Sequence, residues 1–311
     1  MLRQTFLFLS NQQKLYNFAS HNSLAKKFAS RFVAGETLDT ALPAVATLNA
    51  KGITASLDLL GESVSTEAEA RRAGQEYITM LGQIHERRLD ANVSVKLTAM
   101  GIDISEDLCV SVMHGILERA REYGTFVRID MEGSQYTERT LSIFEDRLYP
   151  SYAQNVGIVL QSYLYRTQAD TERANERRCR VRLCKGAYQE PATVAYPDKA
   201  DVDANYVRCM HALLQHGNYP GLATHDEAII ADAKRFAREH HIASDRFEFQ
   251  MLYGVRRDLQ ERLVREGYRM RVYVPFGTQW YPYLMRRLAE RPANLAFMAA
   301  NVMREMVSGG R

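Results

Sequence analysis

The sequence predicts an α/β chain folded as a (β/α)8 TIM-like barrel with an N-terminal helical extension. Three observations carry that prediction. From Lys51 onward, short β-like runs alternate with longer amphipathic segments; the runs number eight; and the stretches between them are long enough for crossover helices. Such crossovers let successive strands run parallel, whereas an antiparallel meander needs tight hairpin turns. Eight units in about 250 residues match the size of this barrel.

In chain order, residues 1–50 read as helical, with Phe28, Phe32 and Val33 at helix spacing and Gly35 as a stop; they form the extension, and residues 51–311 the barrel domain. The eight runs are 53–59, 92–98, 126–131, 156–161, 180–184, 221–224, 247–251 and 269–274. Amphipathic segments between them include 67–88, 105–123, 201–216, 226–240 and 256–266. A doubly wound open sheet is the structural alternative. It usually has fewer units, and its dinucleotide-binding versions carry a GxGxxG; here not even a GxG occurs.

Composition narrows the function classes. The 311 residues are 46% apolar and 25% charged, which excludes disorder and fibrous repeats. Forty Lys+Arg are dispersed among 37 Asp+Glu, so no nucleic-acid footprint is expected. Cys109, Cys179, Cys184 and Cys209 form no CxxC and lie near no histidine cluster, which argues against structural zinc and against a disulfide scaffold. His211, His216, His240 and His241 read as solvated helix residues, and no metal is expected. A reducing, cytoplasmic setting fits best. The apolar run in the first ten residues is too short for a signal peptide, and no stretch reaches the roughly 18 apolar residues of a membrane span. Contact with a membrane would be peripheral.

Side chains alternate across a strand, so each run splits into two faces. Val93, Val95 and Leu97 oppose Ser94, Lys96 and Thr98; Val127, Ile129 and Met131 oppose Arg128 and Asp130. Val181 and Leu183 oppose Arg180 and Arg182; Phe247, Phe249 and Met251 oppose Glu248 and Gln250; Met270, Val272 and Val274 oppose Arg271 and Tyr273. The apolar face must meet the helix ring, which leaves the polar face to line the lumen, where unpaired charges are costly. For Arg128, Arg180, Glu248 and Arg271, which lie deeper, a ligand is the expectation, with an internal salt-bridge network as the alternative. Lys96, Asp130, Gln161, Arg182, Thr224 and His225 lie at carboxyl ends of strands, where such barrels build active sites. A lumen rich in cations favours an anionic ligand, and Lys185-Gly186-Ala187 after the fifth run adds a glycine where backbone can approach one. Near the C-terminus, Tyr283, Arg286, Arg287 and Glu290 share one helix face. Two guanidiniums there offer planar forks of donors suited to a carboxylate.

The runs Ser-Val-Lys96-Leu-Thr, Ile-Asp130-Met-Glu, Val-Leu-Gln161-Ser-Tyr, Arg182-Leu-Cys-Lys185-Gly-Ala-Tyr188, Ala-Thr224-His225-Asp, Glu-Phe-Gln-Met-Leu252-Tyr-Gly, Val-Tyr273-Val-Pro-Phe-Gly and Tyr283-Leu-Met-Arg286-Arg287-Leu-Ala-Glu290 together resemble the proline dehydrogenase family, from about Arg31 to Asn294. The resemblance implies an FAD-dependent barrel that oxidises L-proline to Δ1-pyrroline-5-carboxylate and passes electrons to a membrane quinone. It implies the monofunctional form, with a separate pyrroline-5-carboxylate dehydrogenase downstream. It assigns the substrate carboxylate to Arg286, Arg287 and Lys96, and the ring pocket to Tyr273, Tyr283, Leu252 and Ala187. Asp130 and Arg182 become the catalytic polar groups, while Met131, Gln161, Arg182, Lys185, Gly186, Ala187, Thr224 and His225 hold FAD. Gly133 and Cys184 depart from the family pattern without touching these positions. Two rivals stay open on the residues alone: a Schiff-base lyase using Lys96 or Lys185, and a barrel that binds a carboxylate without turnover.

Overall fold

A computed structural model describes residues 29–61 and 63–290, the last five of them by backbone alone. Eight parallel strands close into a barrel in sequence order: β1 Thr54–Leu59, β2 Ala91–Val95, β3 Val127–Ile129, β4 Val156–Gln161, β5 Arg180–Cys184, β6 Gly221–Ala223, β7 Glu248–Leu252 and β8 Arg269–Phe276. Closure is made by β1 on β8, from Thr54 opposite Arg271 to Leu59 opposite Phe276. The open-sheet alternative is thereby excluded.

Helix α1, Leu38–Asn49, precedes β1, and the ring continues with α2 Glu67–Glu86 and α3 Glu106–Glu122. After β3 the chain runs through α4 Ser134–Ser142, a π-helical stretch Ile143–Leu148 and the short α5 Tyr149–Tyr152. Then come α6 Thr167–Glu176, α7 Lys199–His216, α8 Glu227–Glu239, α9 Arg257–Arg265 and α10 Trp280–Glu290. Local chemistry sets several starts. The Thr66 hydroxyl accepts from the Glu69 N–H while Glu69 reaches back to the Thr66 N–H, closing a capping box on α2. At α3 the Ser105 hydroxyl accepts the Leu108 N–H, and at α8 the Asp226 carboxylate accepts the Ala228 N–H, each a cap without the reciprocal bond.

The expected alternation holds. Val93, Val95, Val127, Ile129, Val181, Leu183, Phe249, Val272 and Val274 are buried against ring residues such as Met113, Ile116, Leu213, Leu259 and Leu263. Most boundaries agree to within a residue and three move further. β2 ends at Val95 rather than at 98, so Lys96 and Thr98 lie in the turn that follows it. β3 ends at Ile129, so Asp130 and Met131 begin a loop, and β8 runs two residues further than expected, to Phe276. Of the extension, residues 1–28, Phe28 among them, lie outside the described residues; α1 contributes Ala41, Leu42 and Val45 to the main core. A second cluster joins Phe32 and Val33 to Leu60 at the end of β1 and to Trp280, Tyr281, Tyr283 and Leu284 of α10. That packing seats the start of α10 beside the carboxyl end of the barrel. Among the described residues no helix is long and apolar enough to cross a membrane, and no group of three or more His, Cys, Asp or Glu is placed to hold a metal ion.

Candidate active site

The lumen is polar from end to end, in layers set by strand register. At the amino-terminal floor, Arg271 Nε donates to Glu248 Oε1 at 2.7 Å, Tyr219 Oη donates to Glu248 Oε2 at 3.1 Å, and Arg271 Nη1 donates to the Ala55 carbonyl at 2.7 Å. Arg128 Nη1 donates to the carbonyls of Ile158 and Arg180, and the guanidiniums of Arg128 and Arg180 both lie over the Phe126 ring. Gly157 faces this crowd; a Cβ there would stand 2.7 Å from both Arg128 Nη1 and Phe126 Cζ. The deep groups are spent on one another and on backbone carbonyls, so they form the internal network rather than the ligand contacts expected of them. Burial alone would raise the Glu248 pKa, but Arg271 outweighs it and holds the carboxyl below its ordinary value.

One layer up, Arg182 organises the centre. Its Nη1 donates to Asp130 Oδ1 at 2.6 Å and to Ser94 Oγ at 3.1 Å, its Nη2 to Ser56 Oγ at 3.3 Å, and its Nε to Gln250 Oε1 at 2.5 Å. A guanidinium has five N–H donors, so one on Nη2 remains unspent. Tyr273 Oη donates to Asp130 Oδ2 at 3.1 Å, and Arg182 lies over the Tyr273 ring. Burial, then the Asp58 and Asp130 carboxylates, push the Tyr273 phenol well above its usual pKa, which keeps it a donor.

At the mouth, Lys96 Nζ meets Asp58 Oδ1 at 2.8 Å. Asp58 is fully buried, and its Oδ2 has no hydrogen-bond partner among the described residues. Burial raises the Asp58 pKa despite Lys96, whereas at Lys96 burial is outweighed by Asp58 and Asp130 and the ammonium is stabilised. The two directions are compatible, because 20% of the Lys96 side chain is exposed against 1% for Asp58, and the carboxylate bears the larger desolvation. Lys96 is therefore a fixed cation, the opposite of the neutral amine a Schiff-base nucleophile requires. Lys185 Nζ is engaged by Asp203 at 2.6 Å and Asp226 at 3.0 Å, which leaves it equally ill suited to that role.

The remaining expected residues are placed as follows. Gln161 Nε2 donates to the Glu132 carbonyl at 2.9 Å. His225 Nε2 accepts the Leu252 N–H at 3.0 Å, which fixes the ring proton on Nδ1. Thr224 Oγ1 accepts the Asp226 N–H. Gly186 has φ +107, and a Cβ there would strike the Tyr163 ring at 2.4 Å, so Lys185-Gly186-Ala187 turns where only glycine fits. The Met131 side chain is buried in the main core. Leu252 ends β7, and Tyr283, buried in the second cluster, lies near enough to Tyr273 to add to the rise of its pKa. The side chains of Arg286, Arg287 and Glu290 lie outside the described residues; only their helix is placed.

The structure thus brings Lys96, Asp130, Arg182 and Tyr273 into one cluster and sets Gln161, Thr224 and His225 on the strand ends around it. Sequence reasoning missed Asp58, whose signal was the alternation Thr54, Ser56, Asp58 in β1. It also missed Glu132, which accepts from the Thr98 hydroxyl at 2.7 Å and N–H at 3.2 Å. Arg182 Nη2 and the Lys96 ammonium are cationic donors that suit an anionic ligand.

Comparison with known proteins gives concordant results. The family model described as Proline dehydrogenase matches residues 41–300. Proline dehydrogenase 1 of Bacillus subtilis is 43% identical over 305 residues, covering 98% of this chain and all of the relative. A proline dehydrogenase of Deinococcus radiodurans is 45% identical over 296 residues, 94% of this chain and 92% of the relative. Among solved structures, proline utilization A from Bdellovibrio bacteriovorus inactivated by N-propargylglycine superposes with a TM-score of 0.79 at 29% identity, over 86% of this chain and 33% of that one.

Proposed function

The chain belongs to the proline dehydrogenase family, and on that premise we propose that it oxidises L-proline to Δ1-pyrroline-5-carboxylate, with FAD as bound oxidant and a quinone as final acceptor. The observation that carries the reading is the Arg182 cluster: a buried guanidinium, anchored on Asp130, Ser94, Ser56 and Gln250, with one N–H left over. The flavin, when bound, supplies the acceptor for the hydride that leaves the carbon beside the substrate nitrogen. Gln161, Lys185, Gly186, Ala187, Thr224 and His225, with Met131, would hold it. Arg182 places a fixed positive charge where negative charge develops, in a site with little water to reorganise. Asp130 holds that guanidinium from one side and the Tyr273 hydroxyl from the other.

Arg286, Arg287 and Lys96 would take the substrate carboxylate, and Tyr273, Tyr283, Leu252 and Ala187 the ring. Reoxidation by a membrane quinone calls for peripheral contact with the bilayer, and the product passes to a separate pyrroline-5-carboxylate dehydrogenase. The visible spectrum tests the core of this proposal. Purified protein supplied with FAD should be yellow and should bleach on adding L-proline without air. Protein that takes up no flavin, or that stays yellow with proline, would refute it.

A further inference from the structure

We propose that Gln250 is a positioning residue for the reaction: held by Glu248 and passing over the bare Cα of Gly221, its carboxamide fixes the Arg182 guanidinium from below. The inference rests on the reading that Arg182 stands beside the reacting centre.

Four observations meet at this residue. First, its amide orientation is determined by its partners. Arg182 Nε can only donate, so the atom it meets at 2.5 Å is Gln250 Oε1; Glu248 is held ionised by Arg271 and can only accept, so the atom 2.6 Å from its Oε1 is Gln250 Nε2. A flipped amide would set donor against donor and acceptor against acceptor. Second, Glu248 is itself immobile, because Arg271 and Tyr219 occupy it from two further directions. The chain Arg271, Glu248, Gln250, Arg182 therefore connects the rigid floor to the middle of the lumen.

Third, Gln250 has to cross a strand to do this. Arg182 on β5 and Glu248 on β7 both pair with Gly221 of the intervening β6. A Cβ at Gly221 would lie 2.3 Å from Gln250 Nε2 and 2.8 Å from its Cδ, so any side chain at 221 would expel the carboxamide. Fourth, the other anchors of Arg182 grip only the Nη end of the guanidinium, through Ser94, Asp130 and Ser56. Gln250 supplies the sole hydrogen bond at Nε, and with it the plane of the fork and the direction of the unspent Nη2 N–H are set.

Three variants separate positioning from mere packing. Gln250→Met keeps the volume and loses the acceptor; Gln250→Glu keeps an acceptor for Arg182 and adds a second buried carboxylate; Gly221→Ala displaces the native carboxamide from a neighbouring strand. If Gln250 positions Arg182, Gln250→Met and Gly221→Ala slow anaerobic flavin reduction by proline at least about tenfold, the size expected for one hydrogen bond to a charged group. The apparent affinity for proline stays unchanged and the flavin midpoint potential, measured by dye equilibration, moves negative. Gln250→Glu keeps the acceptor for Arg182 but loses the donor to Glu248, and slows reduction less than Gln250→Met does. A packing role predicts the reverse order, since an apolar residue of equal volume is tolerated better than a second buried carboxylate. Flavin content and melting curves identify any variant that fails to fold, and the remaining two then decide. Wild-type protein that bleaches while Gln250→Met or Gly221→Ala matches it in rate and potential overturns the inference alone, as does a Gln250→Glu variant as slow as Gln250→Met. Wild-type protein that does not bleach overturns the underlying reading instead.

Discussion

Glu248 and Asp58 are both fully buried carboxylates on the lumen face of the barrel, one at the first residue of its strand and the other at the fifth, and they are treated in opposite ways. Glu248 has both oxygens engaged, by Arg271, Gln250 and Tyr219, and its pKa is lowered. Asp58 has one oxygen on Lys96 and the other without a partner among the described residues, and its pKa is raised by burial. A buried charge that is saturated with donors reinforces a fold; one left half-satisfied strains it and persists where function needs an unspent group. The floor of the lumen thus holds the saturated carboxylate, and the mouth carries the unsatisfied oxygen.

The comparison breaks hardest at the floor. Glu248→Ala leaves Arg271, Arg128 and Arg180 without their shared carboxylate in a water-poor space, and removing one partner of a buried pair typically costs about 3–5 kcal/mol. The denaturation midpoint should fall accordingly, with flavin content tracking only the folded fraction. A shift below about 1 kcal/mol, the range of surface pairs, would show that the floor is not what holds this barrel.

At the mouth the expected cost is smaller and falls on catalysis. Neighbouring residues on a helix are about 100° apart, so Arg286 and Arg287 reach one carboxylate only if their helix lies across the opening. The packing of Tyr283 and Leu284 with Leu60 at the end of β1 sets α10 beside that opening. Replacing either arginine by lysine keeps the charge and loses the fork. The Michaelis constant for proline should rise about ten- to a hundred-fold, corresponding to roughly 1.5–3 kcal/mol, with flavin content intact. Wild-type constants in both variants would remove this helix from the site.

Most of the barrel was legible because alternation is local: Val181 and Leu183 against Arg180 and Arg182 can be separated by reading five residues. The same rule would have exposed Asp58 had it been applied to the first strand. Partnerships were not legible. Asp58 lies 38 residues from Lys96, and Arg182 lies 52 from Asp130 and 68 from Gln250; only barrel closure and strand register decide that they meet. The burial of Met131 beside Val127 and Ile129 follows the same alternation even though β3 ends at Ile129. Lys185 suggested a ligand contact, and its partners Asp203 and Asp226, on α7 and at the start of α8, became visible only with those elements packed.

The smallest effect is also the sharpest test of how the two carboxylates differ, because it concerns a sign. The Asp58 pKa is raised in the folded protein, so the native state holds this proton more tightly than the unfolded chain. Its contribution to stability is full below the unfolded value near 3.8 and is lost as pH rises through the folded value. Lys96 is also raised; its contribution is full below the unfolded value of 10.5 and is lost only in strongly alkaline solution, so it is constant across the acid range. Asp58→Asn removes the first titration and weakens the hold on the Lys96 ammonium, which keeps Asp130 as its remaining carboxylate neighbour. The difference in unfolding free energy, wild type minus variant, should therefore shrink as pH climbs from about 4 toward neutrality, with a slope no steeper than about 1.4 kcal/mol per pH unit. Taking the difference cancels the remaining carboxylates. The same variant should raise the Michaelis constant for proline modestly, since Lys96 loses the anchor that fixes its Nζ. Urea titrations of both proteins between pH 4 and 8 decide the matter: a wild type that gains on the variant as pH rises would mean that Lys96 more than compensates the burial of Asp58.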